Sequence, residues 1–402
     1  MKIIINDYTG YAFPYELSLA LAVMGHEVFH CYCTSINIPQ GKIESASNLK
    51  AIPIALSSRI KKTSFVSRLF LEREYGKKSA EVIKEVKPDI VISGNMPIGA
   101  QELIVKVCKS ESVKLIHWWQ DVYGLAVEKI LSKKMGFIGK LIGNIYINKE
   151  KWCIRNSNAI IGITPDFRQI LADWDIKTQF FLIQNWAPIK QIPTESKYNS
   201  WSIKNIDTSK FNIIYSGTLS MKHNPDTIIA LSKELKSNLE IHIVIVSQGE
   251  AADYILKTKE SEDIKNITIL PFQKYEMLPK VLAAADCLLV LLEAEASQFS
   301  VPSKILAYSC SARPVLACMP SDNLSSVIIE SNNFGYSFNN DDVAGLANCI
   351  RMLSHNSEVK TQLGDNGRRY AEETFNIETI AAQFLGVIDY CMSESNEMIV
   401  NH

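Results

Sequence analysis

The chain has 402 residues, 47% of them hydrophobic and 21% charged, with a formal net charge of −1. That composition supplies more than one packed core and excludes a disordered chain. No run of about 20 apolar residues predicts a membrane-spanning helix, and nine scattered cysteines point to reduced thiols rather than a disulfide framework.

Lys2–Ile5 reads as the first strand, and the polar turn that follows Met1–Asn6 does not continue into a signal peptide. Pro14–Met24 then reads as a helix, and Gly25-His26-Glu27 as a turn into the strand Val28–Cys33. Ser64–Val86 and Ile98–Cys108 are predicted helices, each followed by a strand, Pro88–Ser93 and Val113–Trp118. Asn158–Ile163 and Phe180–Ile183 close this half. Such alternation implies βαβ crossovers and a parallel sheet covered by helices.

Polar, proline-containing sequence from Pro188 to Lys210 interrupts the pattern, with a linker expected over 191–210. Strands are then predicted at Phe211–Ser216, Glu240–Val246, Ile267–Leu270, Cys287–Leu292 and Pro314–Cys318. Helices are predicted at Pro225–Lys236, Met277–Ala285, Pro302–Cys310, Asp341–Ser354, Ser357–Thr374 and Ile377–Cys391, with Ser393–His402 frayed. The expected architecture is α/β, two doubly wound domains over residues 1–190 and 211–375 with a cleft between them. A last helix over 376–392 is expected to pack back on the first domain. Ligands of such folds sit at the C-terminal ends of the strands.

The near-neutral total hides an asymmetry. Residues 1–200 carry 26 Lys+Arg against 18 Asp+Glu, a balance of +8, while the rest carry 16 against 25, a balance of −9. Opposite signs suggest domains with different partners. Neither zinc-finger spacing nor a basic-region heptad is present, so nucleic acid is not an expected partner.

Three segments are candidates for chemistry. Tyr215-Ser216-Gly217-Thr218-Leu219 is a strand-glycine turn that lets the backbone approach an anion, and Lys222 follows within reach of it. Ser300-Val301-Pro302-Ser303-Lys304 precedes an apolar helical run. Ser303 can cap that helix, whereas Lys304 in its first turn opposes the helix dipole, which makes sense if an anion binds there. Lys114–Tyr123 runs from a strand into His117-Trp118-Trp119-Gln120-Asp121, where Asp121 or His117 could act as a base and the paired tryptophans could stack on a sugar. Asp173-Trp174-Asp175 has the two-aspartate form of metal-dependent sugar transferases but reads as a surface turn. Cys31-x-Cys33 lies on a strand without a second ligand pair, so no zinc site follows.

Taken in order, Ser216-Gly217-Thr218…Lys222, Ser247-Gln248-Gly249-Glu250, Leu278-Pro279…Ala285-Asp286, Val301-Pro302-Ser303-Lys304-Ile305-Leu306-Ala307-Tyr308 and Ala312-Arg313-Pro314-Val315-Leu316-Ala317 resemble the donor domain of family 4 glycosyltransferases. The Val301–Leu306 form is most similar to the WbuB-like branch of bacterial O-antigen and capsule assembly. The resemblance implies the GT-B fold of two facing Rossmann-like domains. It also implies a retaining, metal-independent transfer with no cofactor beyond the nucleotide-sugar, in the hexosyltransferase class. Gly217, Thr218, Lys222, Gly249, Ser303 and Lys304 would hold the donor diphosphate. The acceptor would be a glycan or a polyprenyl-diphosphate-linked glycan, bound by the first domain at the cytoplasmic face of the cell membrane. A UDP-linked N-acetylated deoxyhexosamine such as FucNAc would be the donor.

The chain also departs from that family. Thr218 or Leu219 stands where an arginine or lysine is usual, Phe299 and Ala307 stand in the slots of two glutamates, and Ala312 replaces a glycine. Asn6-Asp7-Tyr8-Thr9-Gly10-Tyr11 replaces the Gly-Gly loop, and Gln120 fills the catalytic-histidine slot, leaving Asp121 first and His117 second as the group near the acceptor hydroxyl. Glu293 or Glu295 would then hold the ribose or sugar. Basic stretches at Arg59–Lys62 and Lys129…Lys134, with apolar neighbours Val66, Leu69 and Phe70 for the first and Met135, Phe137 and Ile138 for the second, would sit on anionic headgroups. A nucleotide-sugar 2-epimerase of the same fold and a non-catalytic nucleotide-sugar-binding scaffold are the alternatives.

Overall fold

A computed structural model describes residues 1–36, 43–59, 65–292 and 304–400, the side chains of residues 65, 66, 222 and 394–400 excepted. The backbone divides into two compact units: unit 1 is Met1–Asn185 with Asn376–His402, and unit 2 is Trp186–Phe375.

Unit 1 is built on seven parallel strands, β1 (Lys2–Asp7), β2 (Glu27–Cys33), β3 (Leu49–Ile54), β4 (Ile90–Gly94), β5 (Lys114–Trp119), β6 (Ala159–Gly162) and β7 (Phe180–Leu182), in the order β3-β2-β1-β4-β5-β6-β7. Burial on both faces explains the unbroken apolar runs: Ile3, Ile4, Ile5, Ile90, Val91 and Ile92 are all 0% exposed. The helices are α1 (Ala12–Val23), α2 (Phe65–Val86), α3 (Ile98–Ser110), α4 (Tyr123–Arg155) and α5 (Phe167–Asp173). The strand order reverses between β1 and β4, so the loops after β1, β4 and β5 converge at the carboxyl end of the sheet.

Two features of unit 1 depart from the sequence expectation. β3 was not anticipated; it is an edge strand carrying Lys50 and Pro53, where a missing N–H is tolerated. α4 is unanticipated too, and it is two helical arms broken at Gly136, whose φ is 56° and ψ −130°. Four glycines within it (124, 136, 139 and 143) disguise the helical period.

Unit 2 opens with α6 (Ser202–Asn205) and holds six parallel strands, β8 (Phe211–Ser216), β9 (Ile241–Val246), β10 (Ile267–Leu270), β11 (Cys287–Leu291), β12 (Val315–Cys318) and β13 (Gly335–Phe338), in the order β10-β9-β8-β11-β12-β13. Its other helices are α7 (Asp226–Glu234), α8 (Glu250–Ser261), α9 (Leu278–Ala283), α10 (Lys304–Cys310), α11 (Leu324–Ser331), α12 (Val343–His355) and α13 (Ser357–Thr374). Here the order reverses between β8 and β11.

Residues 191–210 are not a linker. Arg313 Nη2 donates to Glu195 O at 3.1 Å, Arg368 Nη1 donates to Ile192 O at 2.9 Å, and Trp201 is 3% exposed. These are contacts within unit 2, made by side chains far along the sequence. The chain then returns to unit 1 through α14 (Ile377–Val400), a helix that runs past Ser393, where fraying is expected, to Val400. Phe384 of α14 meets the Trp118 ring at 5.0 Å between centroids, and Tyr390 meets Phe181 at 5.3 Å. All nine cysteines are free and eight are buried, Cys31 and Cys33 within the core of unit 1.

Candidate functional site

In unit 2 the switch point of the sheet carries the glycine turn. β8 ends at Ser216, and Gly217 follows with a φ of 125°, a backbone conformation that glycine adopts without strain. A Cβ there would come within 2.7 Å of Lys304 Cε. Sequence positions 87 apart thus meet. Lys304 lies on α10 with its Nζ 3.4 Å from Thr218 O and 5.2 Å from the centroid of the Tyr215 ring. The Tyr308 hydroxyl accepts from Ser216 N–H at 2.9 Å and donates to Ser216 O at 3.0 Å. One tyrosine therefore pins the end of β8 to α10 from one turn past Lys304. Burial raises the Tyr308 and Tyr215 phenol pKa values, so both are neutral donors.

Beside this turn runs the one after β9. Ser216 is in register with Val246, so Gly217 and Ser247–Gly249 leave the sheet side by side. Ser247 Oγ accepts from Leu219 N–H at 3.0 Å. Gly249 has a φ of 106° and caps α8 in open space, leaving the first turn of that helix uncovered by any side chain of its own cap. Lys222 lies in the helical turn Met221–His223 just past Gly217, and its side chain is outside the described residues. So are Ser303, Glu293, Glu295 and Phe299. Ala307, in a glutamate slot of the family, is half-buried on α10, one turn after Lys304. Ala312, where the resemblance leads one to expect glycine, holds a φ of 55°, a conformation that glycine adopts more readily than alanine.

In unit 1 the end of β5 places His117, Gln120 and Asp121 around a small cavity with Asn95, Trp118, Trp119 and Glu150. Asp121 is half-buried at the foot of α4. His117 is 7% exposed, its Nδ1 has no hydrogen-bond partner among the described residues, and desolvation pulls its pKa down to about 4. It is a neutral imidazole at ordinary pH. Gln120 is 8% exposed and accepts from Asn185 Nδ2 at 3.4 Å. The tryptophans are core residues and not a sugar platform. Trp118 packs on Phe13 and Phe384, Trp119 on Phe167 and Trp174, and each is 2% exposed. Asp173 and Asp175 flank the buried Trp174 at the end of α5, a helix-terminal turn.

Two buried carboxylates of unit 1 carry no local sequence signal. Glu150, on the second arm of α4, accepts from Trp119 Nε1 at 2.9 Å, Tyr123 N at 3.2 Å and Gly124 N at 2.7 Å. Burial pushes its pKa up to about 7 against those hydrogen bonds. Asp7, at the end of β1, accepts from the Thr9 hydroxyl at 2.8 Å and Tyr11 N at 2.8 Å, and burial raises it to about 6. Asp7 shapes the loop that stands in for the Gly-Gly turn. Glu150 fixes the segment that carries Asp121.

Comparison with known proteins gives the following. Residues 199–370 match the family model for glycosyl transferases group 1. The putative colanic acid biosynthesis glycosyl transferase WcaI of Escherichia coli K12 is 23% identical over 227 residues, covering 51% of this chain and 50% of the relative. The match thus spans about half the length of that curated protein. Sucrose-phosphate synthase from Thermosynechococcus elongatus superposes with a TM-score of 0.74 at 15% identity, covering 98% of this chain and 100% of that one. Anabaena HepE in complex with UDP and glucose superposes with a TM-score of 0.66 at 14% identity, covering 97% and 99%. The fold is GT-B.

Proposed function

We propose that this chain is a glycosyltransferase that holds a nucleotide diphosphate-sugar in unit 2 and transfers the sugar to a glycan or polyprenyl-diphosphate-linked acceptor bound by unit 1. The observation that carries the reading is the meeting of Gly217 and Lys304 at the switch point, inside the segment matched to glycosyl transferases group 1. A glycine turn admits the diphosphate close to backbone N–H groups, and a fixed ammonium meets the charge that builds on the leaving diphosphate. UDP is the proposed nucleotide, in keeping with the ligand of HepE.

The finer reading is retaining transfer without a metal ion, in O-antigen or capsular polysaccharide assembly, with an N-acetylated deoxyhexosamine such as FucNAc as donor sugar. The colanic acid relative supports a polysaccharide product. Lys222, Thr218, Gly249 and Ser303 share the diphosphate with Lys304, and Glu293 or Glu295 the ribose. Asp121 is the group beside the acceptor hydroxyl, and neutral His117 lies behind it. The enzyme works at the cytoplasmic face of the membrane, associated peripherally with anionic lipid.

Titration of UDP into the full chain tests the central claim. Wild-type protein binds, and Lys304→Ala weakens the affinity at least about tenfold, the loss of roughly one charge-assisted contact. Unchanged affinity in the variant overturns the donor site. UDP release from UDP-sugars only when a lipid-linked glycan is present supports transfer; isomerisation of the donor alone would identify the epimerase instead.

A further inference from the structure

On one element of unit 1, large apolar and small residues are exchanged relative to a soluble helix pair. The two arms of α4, residues 123–135 and 137–155, fold back on each other at Gly136. Glycines line the seam. A Cβ on Gly124 would come within 2.8 Å of Ile147 Cα, and those on Gly139 and Gly143 would run into the Leu131 carbonyl and Glu128 Cα. An antiparallel pair in water buries its large apolar side chains at that seam. Here they face outward: Ile130, Met135, Phe137, Ile138, Leu141 and Ile145 are 49–75% exposed. Those six, out of twenty large hydrophobic side chains exposed among the described residues, fall within residues 130–145, so the patch is concentrated and not scattered. Residues 137, 138, 141 and 145 share one helical face, and glycines 139 and 143 lie on the opposite one. Charge is one-sided too. Residues 129–149 contain five lysines and no carboxylate, and Lys133, Lys134 and Lys140 are exposed beside the tip.

Small residues at the seam with apolar residues outside is the arrangement of helices that meet lipid. A lysine fringe has the sign that anionic headgroups complement. We propose that the tip of α4 is a membrane-docking hairpin, seating Met135, Phe137 and Ile138 at the headgroup boundary of an anionic bilayer with Lys133, Lys134 and Lys140 against lipid phosphates. This rests on the membrane association proposed above and assigns it to one element. The hairpin docks and does not span, since among the described residues no helix is long and apolar enough to cross a membrane.

Sedimentation of the full chain with phosphatidylcholine vesicles, with and without phosphatidylglycerol, tests it. The wild type is expected to pellet with the anionic vesicles and to be released by salt. Phe137→Ser combined with Ile138→Ser lowers that partitioning by about tenfold or more. Lys133→Glu combined with Lys134→Glu lowers it about as much on anionic vesicles, and leaves recovery on neutral vesicles unchanged. All four side chains are exposed, so both variants are expected to keep the wild-type circular dichroism. If the wild type binds and Phe137→Ser/Ile138→Ser binds equally well, the hairpin assignment falls while membrane association stands. If the wild type binds neither vesicle, both fall. Sedimentation velocity without lipid supplies the remaining outcome: a stable dimer made monomeric by Phe137→Ser/Ile138→Ser would assign the patch to a second copy of this chain and overturn lipid docking.

Discussion

Glu150 sits 3% exposed between three N–H donors, from the Trp119 indole and from Tyr123 and Gly124. The donors favour its ionised form and burial favours the neutral one; burial prevails, with the pKa at about 7. A carboxyl whose folded pKa is raised contributes stability that is complete below its unfolded value and is lost as pH rises through the folded one. Glu150 therefore favours folding most below about pH 4.5 and least above about pH 7, a span on the order of 3 kcal/mol. Asp7 has the same sign over a lower window, from 3.8 to about 6. His117 has the opposite sign: its pKa is lowered from 6.5 to about 4, and its contribution is lost as pH falls through that window. The difference between wild type and Glu150→Gln isolates one group from the others. The wild type should lose stability relative to the variant between about pH 5 and about pH 8, read from urea unfolding curves; parallel pH profiles would overturn the assignment. Gly217 and Lys304 stand out in the sequence because each marks a local departure, a glycine directly after an apolar strand and a cation in the first turn of an expected helix. Glu150 marks none, and its partners lie 26 to 31 residues away.

At the scale of elements, local pattern found most strands of both sheets and failed where an element's identity depends on distant partners. Residues 191–210 contain prolines and polar groups, which reads as a linker, yet their anchors are Arg313, Arg368 and Asp286. Asp286 is the node. Its 5%-exposed carboxylate takes Lys197 at 2.6 Å and Lys360 at 2.7 Å and accepts from Asn212 N at 2.9 Å. It thereby ties the entry segment, β8, β11 and α13 together. Asp286→Asn keeps an acceptor oxygen for Asn212 and leaves two lysines, 18% and 29% exposed, without their counter-charge. Unit 2 should lose about 3 kcal/mol in urea unfolding, at the lower end for a broken buried ion pair because the lysines reach water. An unchanged midpoint would show that the segment is held by packing of Trp186 and Trp201 instead. α4 failed for a different reason. Its glycines are poor helix formers in isolation, and only the close approach of its two arms gives them a role. β13, the short edge strand Gly-Tyr-Ser-Phe, has too few residues for a period to show.

For the whole molecule, the division of charge by halves does not survive the division by units. α14 brings Glu378, Asp389, Glu394 and Glu397 into unit 1 with no lysine or arginine, so the balances become +3 for unit 1 and −4 for unit 2. The basic character that remains is local and concentrates on α4. The same return of the chain decides which unit a C-terminal substitution affects. Phe384 is 0% exposed and closes the aromatic cluster over Trp118, the residue that follows His117 on β5. Phe384→Ala removes a buried ring and leaves a cavity, which costs about 3–5 kcal/mol where surrounding side chains relax only partly. That loss falls on unit 1, although residue 384 follows every residue of unit 2 in sequence. Gly217, Lys304 and Tyr308 all belong to unit 2, so UDP affinity should remain at the wild-type value. In scanning calorimetry the variant should show an earlier transition for unit 1, while added UDP shifts the other transition upward by the same amount as in wild type. UDP affinity falling in step with the stability of Phe384→Ala would mean that the two units unfold as one, and would remove the basis for assigning donor binding to unit 2 alone.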